Sequence, residues 1–203
     1  MTRDPFAPQE WPLAHGRSLT LGPRGLLMGV LNVTPDSFSD GGKFDTVGAA
    51  VAQAKLMVQQ GADIIDVGGE STKPDAEPVD GQTERGRILP VITALAAEGM
   101  TLSVDTYRAE TAEAAVRAGA HIVNDVWGAQ REPDIARIAA AHGAGLVLMH
   151  NSRDRDVLPN VIDDQLAFLR RSLQIANLAD VPRENIVLDP GIGFGKDERA
   201  NLA

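Results

Sequence analysis

The chain has 203 residues, 43% of them hydrophobic, enough for one sizeable core, so one domain over residues 1–203 is the expectation. Its formal net charge is −9 and its densest charge run, Ser152-Arg153-Asp154-Arg155-Asp156, is of mixed sign, which argues against a nucleic-acid partner. It has no cysteine, hence no disulfide framework or thiolate metal site, and no apolar run nears the roughly 20 residues of a membrane span.

The opening stretch, MTRDPFAPQEWPLAHGR, has no apolar core of the signal-peptide kind, and with the missing cysteines it gives a cytoplasmic expectation. SLTLGPRGLLMG (18–29) predicts a β-hairpin turning at Gly22-Pro23-Arg24-Gly25, with Pro at the favoured second turn position. LLMGVLN (26–32) predicts a strand running into NVTPDSFSDGG (32–42), a connection crowded with oxygen-bearing side chains. TVGAAVAQAKLMVQQGA (46–62) predicts a helix with Val47, Val51, Ala54 and Val58 on one face and Gly61 as its stop. ADIIDVGG (62–69) is the next strand, followed by GGESTKP (68–74), whose Ser71, Thr72 and Lys73 suit an anion. TERGRILPVITALAAEG (83–99) reads as a helix that Pro90 either kinks or begins.

The same alternation continues. TLSVDT (101–106), HIVNDV (121–126), GLVLMHN (145–151) and NIVLDPG (185–191) are short, β-branched apolar runs of the kind buried on both faces of a parallel sheet. RAETAEAAVRAGA (108–120), PDIARIAAAHGA (133–144, Pro133 in its first turn) and IDDQLAFLRRSLQIANLA (162–179) are the helices between them. GKDERANLA (195–203) begins one more.

Alternating strands and helices leave a doubly wound sheet or a (β/α) barrel. Polar residues close all six strands, which favours the barrel, where site groups come from many strand ends around one rim. A closed barrel needs eight units and typically ~250 residues. The expected fold is therefore an α/β (β/α)8 barrel, incomplete at six units with an N-terminal hairpin, either open by design or a fragment.

The strand ends carry Asn32, Asp66, Asp105, Asn124, Asp125, His150 and Asp189. One Asp after a strand is usually a cap for the next helix. Six such ends on one rim suit a ligand with a row of donors and acceptors, because a carboxylate accepts and an Asn amide does both. DPGIGFGK (189–196) is not a phosphate loop: Pro190 and Asp197 stand where Gly and Ser or Thr are required. It is a Gly-rich loop that brings Phe194 and Lys196 toward the rim. No nucleophile-elbow sequence and no zinc-type His/Cys cluster is present. His142 reads as a helix C-terminal residue and His150 as the one histidine at the rim. Mg²⁺ needs only one or two oxygens from protein when phosphates supply the rest, which makes Asn32 a candidate ligand.

GVLNVTPDSFSDGG, DIIDVGGESTKP, SVDT, IVND, LMH and DPGIGFGK occur in this order, one per strand end. Together they resemble the dihydropteroate synthases of folate biosynthesis, from about residue 26 to the end. The resemblance implies a (β/α)8 barrel that joins 6-hydroxymethyl-7,8-dihydropterin pyrophosphate to p-aminobenzoate and releases pyrophosphate. It implies that Asp105, Asn124 and Asp189 hold the pterin, with Met149 against its face. Asn32 would hold Mg²⁺. Thr72 and Lys73 would approach pyrophosphate or aminobenzoate, Phe38, Pro74 and Phe194 would wall the aminobenzoate pocket, and Asp66 and Gly193 would be further substrate-binding residues. The implied partners are small molecules, without nucleic acid or membrane, and the family admits a homodimer. Lys73 and Asp75 stand where the family usually has Arg and Gly. The alternatives are a pterin-dependent methyltransferase on the same barrel, against which TPDSFSDGG and GESTKP speak, and a non-catalytic pterin-binding paralogue.

Overall fold

The computed structural model of the chain describes residues 4, 6–34, 43–71 and 78–202. An antiparallel pair, β1 (Gln9–Pro12) and β2 (Ser18–Leu21), comes first. Six parallel strands follow: β3 (Met28–Asn32), β4 (Ile64–Gly68), β5 (Leu102–Asp105), β6 (Ile122–Asp125), β7 (Gly145–Met149) and β8 (Ile186–Asp189). Between them run α1 (Lys43–Gln59), α2 (Gly81–Ala97), α3 (Ala109–Arg117), α4 (Asp134–His142) and α5 (Val161–Leu178), and a short α6 (Glu198–Asn201) comes last. The sheet order is β3-β4-β5-β6-β7-β8, sequential throughout. A doubly wound sheet reverses at a switch point; this one does not, so it is the wall of a barrel.

Side-chain alternation divides the wall into two faces. Ile65, Val67, Leu102, Val104, Val123, Leu146 and Leu148 point outward into a core shared with Ile88, Ile92 and Leu95 of α2, Ala112 and Val116 of α3, and Ile135 and Ala139 of α4. A second, smaller cluster lies inside the wall at the N-terminal ends of the strands: Ile64, Ile122 and Val147 with Trp11 and Leu13. The β1–β2 hairpin thus covers the barrel floor, and the Trp11 Nε1 proton is donated to the Asn185 carbonyl at 2.9 Å.

Two expectations are corrected. The predicted hairpin pairs the wrong strands. β2 pairs with β1, Trp11 opposite Leu19, while 22–25 only links β2 to the wall. The partner was hidden because Gln9–Pro12 has no apolar run and ends in Pro; the burial of Trp11 against three distant strands makes it a strand. Pro90 does not begin α2, which is continuous from Gly81 and capped by Asp80, whose carboxylate accepts from Thr83 N at 2.8 Å. An internal Pro costs about 3 kcal/mol. Burial of Ile88, Val91, Ile92 and Leu95 on the same helix, at about 1.5–3 kcal/mol each, outweighs it. Gly61 does end the first helix region, at φ +105°, two residues past α1. Val58, expected on the buried face of α1, is exposed, and Ala50 and Ala54 are its fully buried contacts. No helix among the described residues is long and apolar enough to cross a membrane.

Candidate active site

Because the outward residues are known, the inward ones follow: Asp66 and Gly68 on β4, Ser103 and Asp105 on β5, Asn124 on β6, Met149 on β7 and Asp189 on β8. Pairing puts Asn32, Gly68, Asp105 and Asn124 in one row across β3–β6. Met149 and Asp189 are neighbours on β7 and β8. Gly68 matters in this row, because a Cβ there would stand 3.4 Å from Asn32 Oδ1 and 3.5 Å from Asp105 Oδ2. Its bare backbone keeps the space between those side chains open.

One layer below, Asp66 is buried and accepts a hydrogen bond from Asn124 Nδ2 at 2.9 Å. Its other oxygen, Oδ1, and the buried Ser103 hydroxyl sit at paired positions of β4 and β5 without the geometry of a full hydrogen bond. A buried polar group left poorly paired costs up to about 1–3 kcal/mol, so Oδ1 favours a ligand that brings a donor. Burial pushes the Asp66 carboxyl up, the Ser103 hydroxyl and then the Asn124 amide opposing it. Burial, and then the charges of Asp66, Asp125, Glu84 and Glu70, push the Asp105 carboxyl well above the usual carboxylate range. Two adjacent carboxyls in this condition favour a ligand that offers N–H groups or positive charge.

Asp189 Oδ1 accepts from Gly191 N at 2.7 Å. The loop behind it turns on Gly191, at φ +66°, where a Cβ would fall 1.9 Å from the His150 carbonyl oxygen. Lys196 folds back over the loop and donates to the carbonyls of Pro190 and Gly191 at 2.9 and 2.6 Å. Burial lowers its ammonium, with Asp189 pulling the other way. Phe194 is half-buried, Gly193 is exposed, and both stand in this loop. Asn32 is exposed at the end of β3.

Two strand-end groups face elsewhere. Asp125 points outward and accepts from Trp127 N and Ala129 N at 2.8 and 2.6 Å, shaping its own turn. Burial raises it to about 6 despite those bonds. His150, expected at the rim, is fully buried against α5, with Nε2 2.8 Å from Asp164 Oδ2. Each sits one residue past an inward group, and period two turns it away. Phe38, Thr72, Lys73, Pro74 and Asp75 lie outside the described residues.

Above Asp105 opens a cleft of about 650 Å³, lined among others by Tyr107, Trp127, Arg131, Arg153 and Lys196. Several of its residues had no signal in the sequence. Two of them, Glu70 and the buried Glu84, hold Arg108 at 2.6 and 3.0 Å, and Thr111 also donates to Glu84 at 2.8 Å. The Arg131 guanidinium lies over the rings of Tyr107 and Trp127, at 4.1 and 4.9 Å. These partners come from separate loops, so no local pattern relates them.

Residues 28–203 match the family described as pterin binding enzyme. The dihydropteroate synthase of Bacillus subtilis (strain 168) is 50% identical over 190 residues, 92% of this chain and 65% of that protein. The crystal structure of the dihydropteroate synthase of Clostridium difficile in the presence of pteroic acid superposes with a TM-score of 0.85 at 44% identity, covering 89% of this chain and 69% of that one. That of Xanthomonas albilineans with 4-aminobenzoic acid gives 0.87 at 41% identity, covering 96% and 71%. The chain thus spans about two thirds of the length of these relatives.

Proposed function

We propose, for a chain that belongs to the dihydropteroate synthase family of pterin binding enzymes, that its site takes a dihydropterin pyrophosphate and p-aminobenzoate to 7,8-dihydropteroate and pyrophosphate. The observation that carries this reading is the inward set on β4–β6: a buried Asp66, bonded to Asn124 and poorly paired at its other oxygen, beneath an Asp105 whose carboxyl is raised. A pterin edge offers ring N–H and exocyclic amine donors to such acceptors. Asp105, Asn124 and Asp189 hold that edge, Asp66 completes the floor through the Asn124 amide, and Met149 packs on the ring. In the empty site these carboxyls lack the donors and positive charge that favour ionisation; pterin N–H groups and positive charge spreading into the ring supply both, and the ionised carboxylate then stabilises that charge.

In the reaction the pterin methylene–oxygen bond breaks, pyrophosphate leaves with the electron pair, and the aniline nitrogen bonds the methylene and then loses a proton. The nitrogen needs positioning more than a strong base. In this reading Phe194, with Phe38 and Pro74, walls the second substrate, and Gly193, Thr72 and Lys73 belong to the same substrate-binding set. Among the described residues no cluster of three or more His, Asp or Glu can hold a metal. Asn32, with one exposed amide oxygen, fits a Mg²⁺ that takes most of its ligands from water and phosphates. When bound, such a Mg²⁺ would supply neutralising charge to the leaving pyrophosphate, with Asn32 as its protein ligand.

The test is calorimetric titration of the purified chain with pteroic acid. Asp105→Asn replaces an acceptor by a donor at nearly constant shape, and affinity is expected to fall at least tenfold with the unfolding midpoint kept. Affinity within threefold of the parent overturns the reading.

A further inference from the structure

Beside the site, but not in it, lies a buried polar cluster on the outward side of β7. Asp164 stands in the first turn of α5, almost fully buried. Its Oδ1 accepts from Leu158 N at 2.9 Å and from Arg155 Nη1 at 3.0 Å, and its Oδ2 from Arg155 Nη2. Arg155 also donates from Nε to the Asn151 carbonyl at 2.7 Å and from Nη1 to the Asp156 carbonyl at 2.9 Å. Phe168 covers both cationic and imidazole members, 5.0 Å from the guanidinium and 5.1 Å from the His150 ring. Burial lowers the His150 imidazole, so it is neutral at pH 7. Its Nδ1 has no partner among the described residues. Its Nε2 meets both members of the ion pair, 2.8 Å from Asp164 Oδ2 and 2.9 Å from Arg155 Nη2, so the ring is wedged against the carboxylate and the guanidinium together.

This cluster touches two loops of the rim. It closes residues 151–158 on themselves through Arg155. His150 also anchors the loop after β8, because its N–H donates to the Asp189 carbonyl at 2.9 Å and its own carbonyl packs on Gly191. The two loops then meet at the mouth of the cleft. The Arg153 guanidinium lies 4.8 Å from the Phe194 ring centroid, and a Cβ on Gly195 would stand 3.1 Å from Arg153 N.

We infer that His150, Asp164 and Arg155 are positioning residues that couple the loops 151–158 and 190–196, so that Arg153 and Phe194 hold one arrangement at the mouth of the cleft. The importance of that arrangement for a second substrate rests on the function proposed above; the coupling itself does not.

The experiment is amide hydrogen exchange on the full chain, with His150→Leu, His150→Gln and Asp164→Asn. His150→Leu removes the ring nitrogen that meets the Asp164–Arg155 pair, and exchange is expected to accelerate at least tenfold in 151–158 and at least fivefold in 190–196, with the amides of β5 and α3 unchanged. His150→Gln offers an amide near the Nε2 position, whose N–H can meet Asp164 or whose oxygen can meet Arg155, and should restore most of the protection. Asp164→Asn, which keeps the shape but weakens the hold on Arg155, gives an intermediate result. Acceleration confined to 151–158 overturns the coupling, and so does uniform acceleration that includes β5 and α3. No ligand is needed for these arms. Adding pteroic acid separates the two readings. Protection of both loops in the parent but not in His150→Leu supports positioning at the site. Failure of the parent to bind counts against the proposed function and leaves the exchange result standing.

Discussion

Two parts of the same sheet treat the same kind of residue differently. On β4, β6 and β7 the inward Ile64, Ile122 and Val147 keep 3%, 0% and 7% of their surface, whereas Val30, inward on β3 and level with Asp66, keeps 55%. The outward face repeats the contrast, with Leu146 and Leu148 on β7 fully buried and Leu188 on β8 at 42% exposure. β3 and β8 each have one hydrogen-bonded neighbour in the described sheet, and the other strands have two. A strand's apolar pattern therefore states only that a side chain suits burial; the neighbour on each side decides how much burial it receives.

The contrast can be broken most directly in the core. Leu146→Ala should destabilise by about 2–5 kcal/mol through lost transfer energy and a cavity, while Leu188→Ala should cost under about 1 kcal/mol. Urea unfolding followed by circular dichroism measures both, and equal losses would mean that Leu188 is covered in solution. Next comes the brace under the cleft. Glu84→Ala leaves the partly buried Arg108 with one acid partner and Thr111 with none among the described residues, a loss of about 2–3 kcal/mol. A change under about 1 kcal/mol in the same assay would show water replacing the carboxylate.

The floor of the closed side offers a pH test. His121 Nδ1 accepts from Leu102 N at 3.2 Å, and burial, then Arg17 and His15, lower the ring from 6.5 to about 4. The unfolded chain takes up the proton first, so this contribution is present above pH 6.5 and is lost as pH falls toward 4. Asp125, raised to about 6, acts in the opposite sense: its contribution is complete below its ordinary 3.8 and is lost as pH rises through 6. His121→Gln removes only the first titration. The parent's stability relative to this variant should fall by about 1–2 kcal/mol between pH 7 and pH 4, once solvent screening is allowed for. A pH-independent difference would show that the folded ring takes up its proton as readily as the unfolded one. The smallest effect belongs to the exposed Lys55–Glu98 pair, at 2.9 Å: Lys55→Ala should change stability by less than about 0.5 kcal/mol, and a loss above 1 kcal/mol would place that surface among the braced regions.

The site was legible to a different depth at each residue. Asp105, Asn124 and Asp189 could be named because each ends an apolar run, and a parallel barrel carries strand ends to one rim. The roles of Asp125 and His150 were not legible. Each stands one residue past an inward group, at the end of a short run where nothing local shows on which side the strand's alternation begins. Only the pairing of β6 with β5 and β7, and the packing of α5 on β7, turns Asp125 into a turn-shaping acceptor and His150 into an anchor. Arg108 and Arg155 were invisible for a related reason. Their partners, Glu70, Glu84 and Asp164, belong to other elements, and an arginine's long side chain leaves no periodic trace.

From the sequence alone, then, the alternation of strands and helices, the rim composition and the stop at Gly61 followed, since period, chain reversal and a positive φ are local demands. Tertiary structure decided what depends on neighbours distant in sequence. It made Gln9–Pro12 a strand because Trp11 finds Ile64, Ile122 and Val147 there, it kept α2 continuous through Pro90 because one face is buried, and it left Asp66 Oδ1 buried and poorly paired among the described residues. Burial is a property of what comes to lie on both sides of a residue, and the chain brings those sides together only when it folds.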